Sequence, residues 1–373
     1  MLHYLKFFHF YGIAVSSFIF LLLGGNFIYV GFLFFILLYV LGDMFLGDDY
    51  SEPTLNNKNF INTMLYSAIP LALCLLLICA WLVSPANHAI MQDLSNIIGY
   101  DLFAAKQATN IWQIGIAVIY AGFLLSGVAS VVGHELVHRI SSKKDVCAGR
   151  WLMSMCLDAN FSIEHVYNHH AKVATEDDPA TSPRGRSVYL HVLYALFLTN
   201  KSAWNIEVKR LKRTKKSIFS YHNIFIRGYL MSLSILLVAL FLFSWQGMAM
   251  IFAIGLSAKI ILEIVNYIEH YGLVRDVKAP VKPKHSWNTN RKMSCWAMFN
   301  LPRHSYHHAN ASVPFEQLKS LPQAPTMING YISSIAIALI PPLWFFLMNR
   351  KLAHWDANFA DQSELTLLMN QQK

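Results

Sequence analysis

An apolar run from Ile111 to Val132, free of Asp, Glu, Lys and Arg, leads without a break into Gly133-His134-Glu135-Leu136-Val137-His138-Arg139. A stretch of that length can cross the hydrocarbon core of a bilayer as a helix. In lipid the backbone must satisfy its own hydrogen bonds, so a helix is the form such a run takes. Five further runs have similar length: Phe7–Gly25, Phe27–Phe45, Met64–Val83, Ile226–Phe243 and Met248–Tyr267. Gly24-Gly25-Asn26 and Ser244-Trp245-Gln246-Gly247 read as tight turns within two hairpins. The apolar interlude Tyr189–Leu198 is too brief to span. Tyr331–Met348 is interrupted by Pro341-Pro342. Paired prolines remove helix hydrogen bonds, which predicts a surface-lying cap rather than a seventh span.

Composition agrees. The chain is 55% hydrophobic and only 14% charged, against about 45–50% and about a quarter in soluble domains. The net charge of +9 is no nucleic-acid signal, because it follows membrane topology. Of 30 Lys and Arg, 14 lie in 139–220 and 11 in 275–373, whereas the segment between the third and fourth runs has only Lys106. The positive-inside rule places both rich segments and both termini in the cytosol. The 47–61 loop goes with them although Asp48, Asp49 and Glu52 make it more acidic than basic. No A-x-A-like cleavage site follows the first run, which reads as a retained span.

The expected fold is therefore an all-α integral membrane protein: six transmembrane helices with a cytosolic, histidine-rich di-metal domain. Residues 1–133 would hold spans one to four, and 134–220 a cytosolic segment with the first two histidine groups. Residues 221–268 would hold spans five and six, and 269–373 the remaining ligands and the membrane-surface cap. Five cysteines without a C-x-x-C pair give no disulfide framework or metal ribbon and read as buried, inert thiols.

Four short clusters hold nine of the 16 histidines. After His134 and His138 come His165, His169 and His170 in Glu164-His165-Val166-Tyr167-Asn168-His169-His170. His270 ends Asn266-Tyr267-Ile268-Glu269-His270, and His304, His307 and His308 lie in Leu301-Pro302-Arg303-His304-Ser305-Tyr306-His307-His308. Positions i and i+4 share a helix face, so His134/His138 and His165/His169 can each clamp one metal. Adjacent His170 points elsewhere, toward a second. Nine imidazoles exceed the needs of one ion, and two ions with four or five ligands each fit the count. Imidazole suits Zn, Cu, Fe and Ni alike.

Two other readings compete with this one. His134-Glu135-Leu136-Val137-His138 satisfies the H-E-x-x-H pattern of zinc proteases, but a protease needs only a third ligand, whereas seven further clustered histidines are present. A metal carrier would hold its site near the bilayer midplane, whereas these groups stand at helix ends and in polar segments. His3, His9, His88, His191, His222 and His354 are isolated and expected at the surface or an interface. His285 is expected near the site without ligating.

With these residues in hand, the chain resembles the membrane-bound alkane hydroxylases (alkane 1-monooxygenases) and the xylene monooxygenase hydroxylase components. Both belong to the histidine-motif desaturase and hydroxylase superfamily. The resemblance rests on the four clusters, on Ala174-Thr175-Glu176-Asp177-Asp178-Pro179-Ala180 after the second, and on Tyr271-Gly272 after the third. It implies two non-haem irons held by the nine histidines, O2 as co-substrate, and hydroxylation of a terminal or methyl C–H. Carboxylates near the rings would orient them, and the candidates are Glu135, Glu164, Asp178, Glu263 and Glu269. Glu263 lies in the sixth run near Lys259, which leaves open a role at the site or a mutual ion pair. No flavin, nicotinamide or haem motif appears, so electrons must come from a partner. The resemblance implies rubredoxin or a ferredoxin-type reductase, steered by basic residues such as Lys209–Lys216. It also implies a bacterial cytoplasmic membrane, whose lipids surround the spans and whose apolar core delivers a hydrophobic substrate. Tyr271-Gly272-Leu273-Val274-Arg275-Asp276 and Pro341-Pro342-Leu343-Trp344 look like the xylene branch, and Arg303-His304-Ser305-Tyr306-His307-His308 looks like the alkane branch. The reading favours n-alkanes, with methyl-arenes or acyl-lipid desaturation as alternatives.

Overall fold

The computed structural model describes residues 2–371 and is helical throughout, with no strand and only two isolated bridges among the described residues. Among the described residues five helices are long and apolar enough to cross a membrane: α1 (His3–Leu23), α2 (Asn26–Phe45), α3 (Lys58–Val83), α4 (Ile111–His138) and, later in the chain, Ile224–His270. Between them lie α5 (Lys143–Met155) and α6 (Val188–Arg213), so the helix Ile224–His270 is α7. A capping box starts α4 where the apolar run begins. The Asn110 side chain accepts from the Gln113 amide, and the Gln113 side chain accepts from the Asn110 amide.

α7 is not one straight rod. Ser244 has φ 65°, outside helical space. Ser232 Oγ on one side of it donates to Ser154 O at 2.9 Å, and Lys259 on the other meets Asp158 at 2.6 Å. In a continuous helix Ser232 and Lys259 would stand about 40 Å apart, yet their partners are four residues apart in sequence. The chain therefore doubles back at Ser244, where the sequence predicted a turn, and α7 has two antiparallel arms.

The turns and loops sort to two ends of the bundle. At one end Gly25 N donates to Thr109, Tyr100 to Leu23 O, and the His88 and Phe243 rings meet at 5.0 Å. At the other end the acidic loop after α2 meets the N-terminal segment and the stretch carrying the last histidine cluster. Asp49 pairs with Lys6 at 3.3 Å and accepts from Trp296 at 2.7 Å, while Arg303 donates to the Asp49 and Ser51 carbonyls. Burial opposes ionisation of Asp49, but hydrogen bonds from Ser51 and Trp296 and the charge of Lys6 outweigh it and hold the carboxyl at about 2. This explains an acidic loop at the basic end: its charge is spent on buried cations.

Without a hydrophobic drive between helices in lipid, close backbone approach supplies packing. α5 lies against the end of α4 in this way. A methyl at Gly149 would stand 2.9 Å from Gly133 O, so Gly149 lets the two helices touch beside the first histidine pair. Near the C-terminus α8 (Tyr331–Ala338) and α9 (Pro341–Asn358) meet at a 120° bend, as the paired prolines predict. The short apolar interlude begins the 26-residue α6, which is not among the helices apolar enough to cross a membrane. One expectation fails: of five free thiols only Cys79, Cys156 and Cys295 are buried. Cys74 and Cys147 are exposed, because cysteine is small enough to sit on a helix face that no other element covers.

Removing the Asp49 carboxylate leaves Lys6 buried without its acceptor and takes away the carboxylate 3.9 Å from Arg303, whose bonds to the Asp49 and Ser51 carbonyls remain. Asp49→Ala is expected to cost about 3–5 kcal/mol, read as a lower melting temperature in detergent, while Asp48→Ala at the half-exposed neighbour stays near wild type.

Candidate metal centre

All nine clustered histidines converge at the end of the bundle that holds the Asp49 network. They sort into two adjoining sets. His134, His138, His165, His170 and His307 bring one ring nitrogen each within 4.8 Å of the others. His169, His270 and His308 form a second set at the same spacing, and His304 joins it through His270 and Glu269. The His170 and His308 rings stack between the sets at 4.5 Å.

The division differs from the helical-wheel expectation in one place. His134 and His138 do share a set, as do His304 and His308, each pair at i, i+4. His165 and His169 do not. Residues 165–169 form a π-helical turn, with the His170 amide donating to His165 O. That wider turn sets His165 edge-on to His170, their Nε2 atoms 3.0 Å apart, and sends His169 to the other set. Single π-turns recur at functional sites, and a second one, Ser126–Ser130, precedes the first histidine pair.

The side chains fit a metal. Nε2 of His134, His138, His169 and His307 is buried with no protein partner. Facing nitrogens lie 2.9 Å (His304/His308), 3.0 Å (His165/His170) and 3.2 Å (His270/His304) apart. Two nitrogens about 2.1 Å from one ion at right angles are about 3 Å apart. Burial, reinforced by neighbouring histidines, holds the imidazoles of His165, His170, His304, His307 and His308 well below their ordinary range. They are neutral, the form that binds metal. His169 departs: although burial opposes it, Asp178 raises its affinity for a proton.

The five carboxylates take different positions. Asp178 Oδ2 is 2.9 Å from His169 Nδ1 and accepts from Thr181 Oγ1 at 2.6 Å. That bond fixes the tautomer and leaves His169 Nε2 free toward the second set. Glu269 Oε2 lies 3.2 Å from His304 Nε2, and its other oxygen accepts from Tyr331 at 2.5 Å. Glu269 thus sits within reach of the metal position itself. Glu164 accepts from Asn168 at 2.8 Å, and burial pushes it up to about 7. Glu135 is turned away from both sets, taking Arg139 at 2.9 Å and the Phe315 amide at 3.1 Å. Glu263 ion-pairs with Lys259 at 2.6 Å, and Asp158 completes a buried triad.

His285 stands as expected, close but not ligating. Its Nε2 meets Glu364 at 2.8 Å and its Nδ1 accepts from the Lys282 amide. His191 corrects the surface expectation: it is fully buried beside Tyr267, with both ring nitrogens unpartnered. Its isolation in sequence hid the face of α6 that turns inward. Tyr331 and Glu364 were missed, and no local pattern marks either one.

A slender apolar cavity of about 70 Å³ runs from the spans to the histidines. Phe35, Phe123, Val131 and Ile261 wall it, and it ends on His134 and His165 of one set and on His304 of the other.

Fold and site together define a membrane-embedded helical bundle whose buried histidines are arranged to hold metal at one end. The chain belongs to the fatty acid desaturase family, whose model matches residues 109–324. It is 35% identical to alkane 1-monooxygenase 1 of Pseudomonas aeruginosa over 66% of this chain and 67% of that protein. It is 33% identical to alkane 1-monooxygenase 2 of Alcanivorax borkumensis over 85% and 78%. The xylene/toluene monooxygenase hydroxylase component of Pseudomonas putida is also 33% identical, over 66% of each chain.

Asp178→Asn is expected to weaken metal affinity about 10–100-fold in chelator competition. Glu135→Gln, outside both histidine sets, should hold metal as tightly as wild type.

Proposed function

We propose that this protein is a non-haem di-iron monooxygenase that hydroxylates the terminal methyl of n-alkanes to primary alcohols. The balance is R–CH3 + O2 + 2 e⁻ + 2 H⁺ → R–CH2OH + H2O. One observation carries the reading: an apolar cavity walled largely by the spans is lined by histidines of both sets. Such a cavity suits a substrate without polar handles, taken from the bilayer. The alkane 1-monooxygenases named above support the substrate class.

Five and four histidines suit two ions, and iron, when bound, supplies the redox chemistry that reduces O2 and oxidises the C–H bond. The chain's own part is position and exclusion of water. Phe35, Phe123 and Ile261 hold the alkyl chain so that its end faces His134, His165 and His304. Asp178 holds the proton on His169 Nδ1, and Tyr331 holds Glu269 beside His304. Asn266 and Glu269 bring polar side chains into the cavity wall near its histidine end.

Electrons would come from a small acidic redox protein, rubredoxin or a ferredoxin-type reductase. Lys209, Lys212, Arg213, Lys215 and Lys216 are exposed at the end of α6, at the same face as the histidines in the positive-inside topology. Arg210 is not free for docking, because Glu207 and the His222 carbonyl hold it. That topology also assigns the histidine end to the cytosol and the protein to the bacterial cytoplasmic membrane. The second reading, methyl-arene hydroxylation, draws on the xylene/toluene relative.

Membranes given a redox partner should convert n-alkanes to primary alcohols, with two irons per chain by elemental analysis. His170→Ala and His304→Ala should each abolish turnover and lower the iron content. Benzylic alcohol from p-xylene without alkane turnover would establish the second reading, and one metal per fully loaded chain would sink the di-iron assignment. Charge reversal at Lys212, Lys215 and Lys216 should slow donor-dependent turnover severalfold at low salt and flatten its salt dependence. An unchanged salt profile would remove this face as the docking site.

A further inference from the structure

On the outer side of the helices that carry the first two histidine clusters lies a groove of about 660 Å³. Three cations meet there, Lys143, Arg150 and Arg227, and no carboxylate lines it. Lys143 and Arg227 are exposed. Arg150 is only 9% exposed. It gives one Nη to the Ile224 carbonyl at 2.8 Å, but its buried Nε has no partner. Burial, with Arg227 nearby, pushes the Arg150 guanidinium down to about 10. A buried N–H left unpaired is costly, and an anion seated beside Arg150 would accept from it.

The rest of the groove is apolar and follows α7 away from those charges, past Leu230 and Met231 to Ser234. Arg227 to Ser234 is about 10 Å of helix, from the polar boundary into the apolar run. Trp151 and Tyr167, both exposed, stand in its wall, the residue types that collect at a membrane interface. A charged upper half and an apolar lower half match one kind of occupant. We propose that this groove binds an anionic phospholipid, its phosphate on Arg150 and Arg227 and an acyl chain along the first arm of α7. A free phosphate would fill only the upper half, and an acidic protein would leave the apolar half empty.

The site is independent of the proposed reaction, although the two adjoin. Val137 and Ile163 line the groove one and two residues from His138 and His165, so a bound lipid packs on the backs of both histidine helices.

Native mass spectrometry of detergent-purified protein tests the assignment. Phosphatidylglycerol should be retained, and bilayer discs containing it should raise the melting temperature where phosphatidylcholine discs do not. Lys143→Glu with Arg227→Glu, both at exposed positions, should lower retention about tenfold or more. Leu230→Trp, which fills the apolar half and keeps every charge, should also lower it. Three results overturn the proposal: equal retention in both variants, an equal melting shift with inorganic phosphate alone, or displacement of the lipid by an acidic redox protein.

Discussion

Nine imidazoles stand together away from water, and several of their nitrogens have no acceptor or donor within the chain. Burying polar atoms in that state is costly, and the cost falls when an ion takes the lone pairs. Much of the remaining structure can be understood as what keeps those rings in place in the meantime. Four separate stretches of chain must arrive at one point, and none alone supplies all the histidines of either set. The bundle therefore acts as the rigid frame, and the polar segments act as its straps.

The straps are hydrogen-bonded networks rather than apolar packing. Asp43 at the end of α2 accepts from the amide and hydroxyl of Ser294, and the Ser294 hydroxyl in turn accepts from the Tyr331 amide. Tyr331 then holds Glu269 beside His304. A chain of buried bonds thus links an early membrane helix to the metal position through three distant pieces of sequence. Asp49, Lys6 and Arg303 form a parallel link that ends one residue before His304. Such networks are favourable when every member is satisfied, and these members largely are.

Membrane and site impose opposite demands on the same helices, and the transition is abrupt. α4 is apolar to Val132 and carries histidines from residue 134 on. A π-turn just before that point and another in the second cluster alter how side chains face at the moment the environment changes. The apolar cavity then becomes a natural consequence of spans that end at ligands. It has lipid-like walls along its length and nitrogen atoms at its foot.

The helical membrane class, the hairpin turns and the nine histidines were legible in the sequence, because long apolar runs and clustered imidazoles are local and rare. The fold-back at Ser244 and the bend at Pro341-Pro342 were legible for the same reason: turn and proline signals act within a few residues. Which histidine joins which set was not, because a π-turn is decided by the packing around it and not by composition. Nor could sequence alone find Tyr331 beside Glu269, Glu364 beside His285, or the inward face of His191. Those depend on contacts between residues tens to hundreds of positions apart, and only the folded chain brings them within a hydrogen bond.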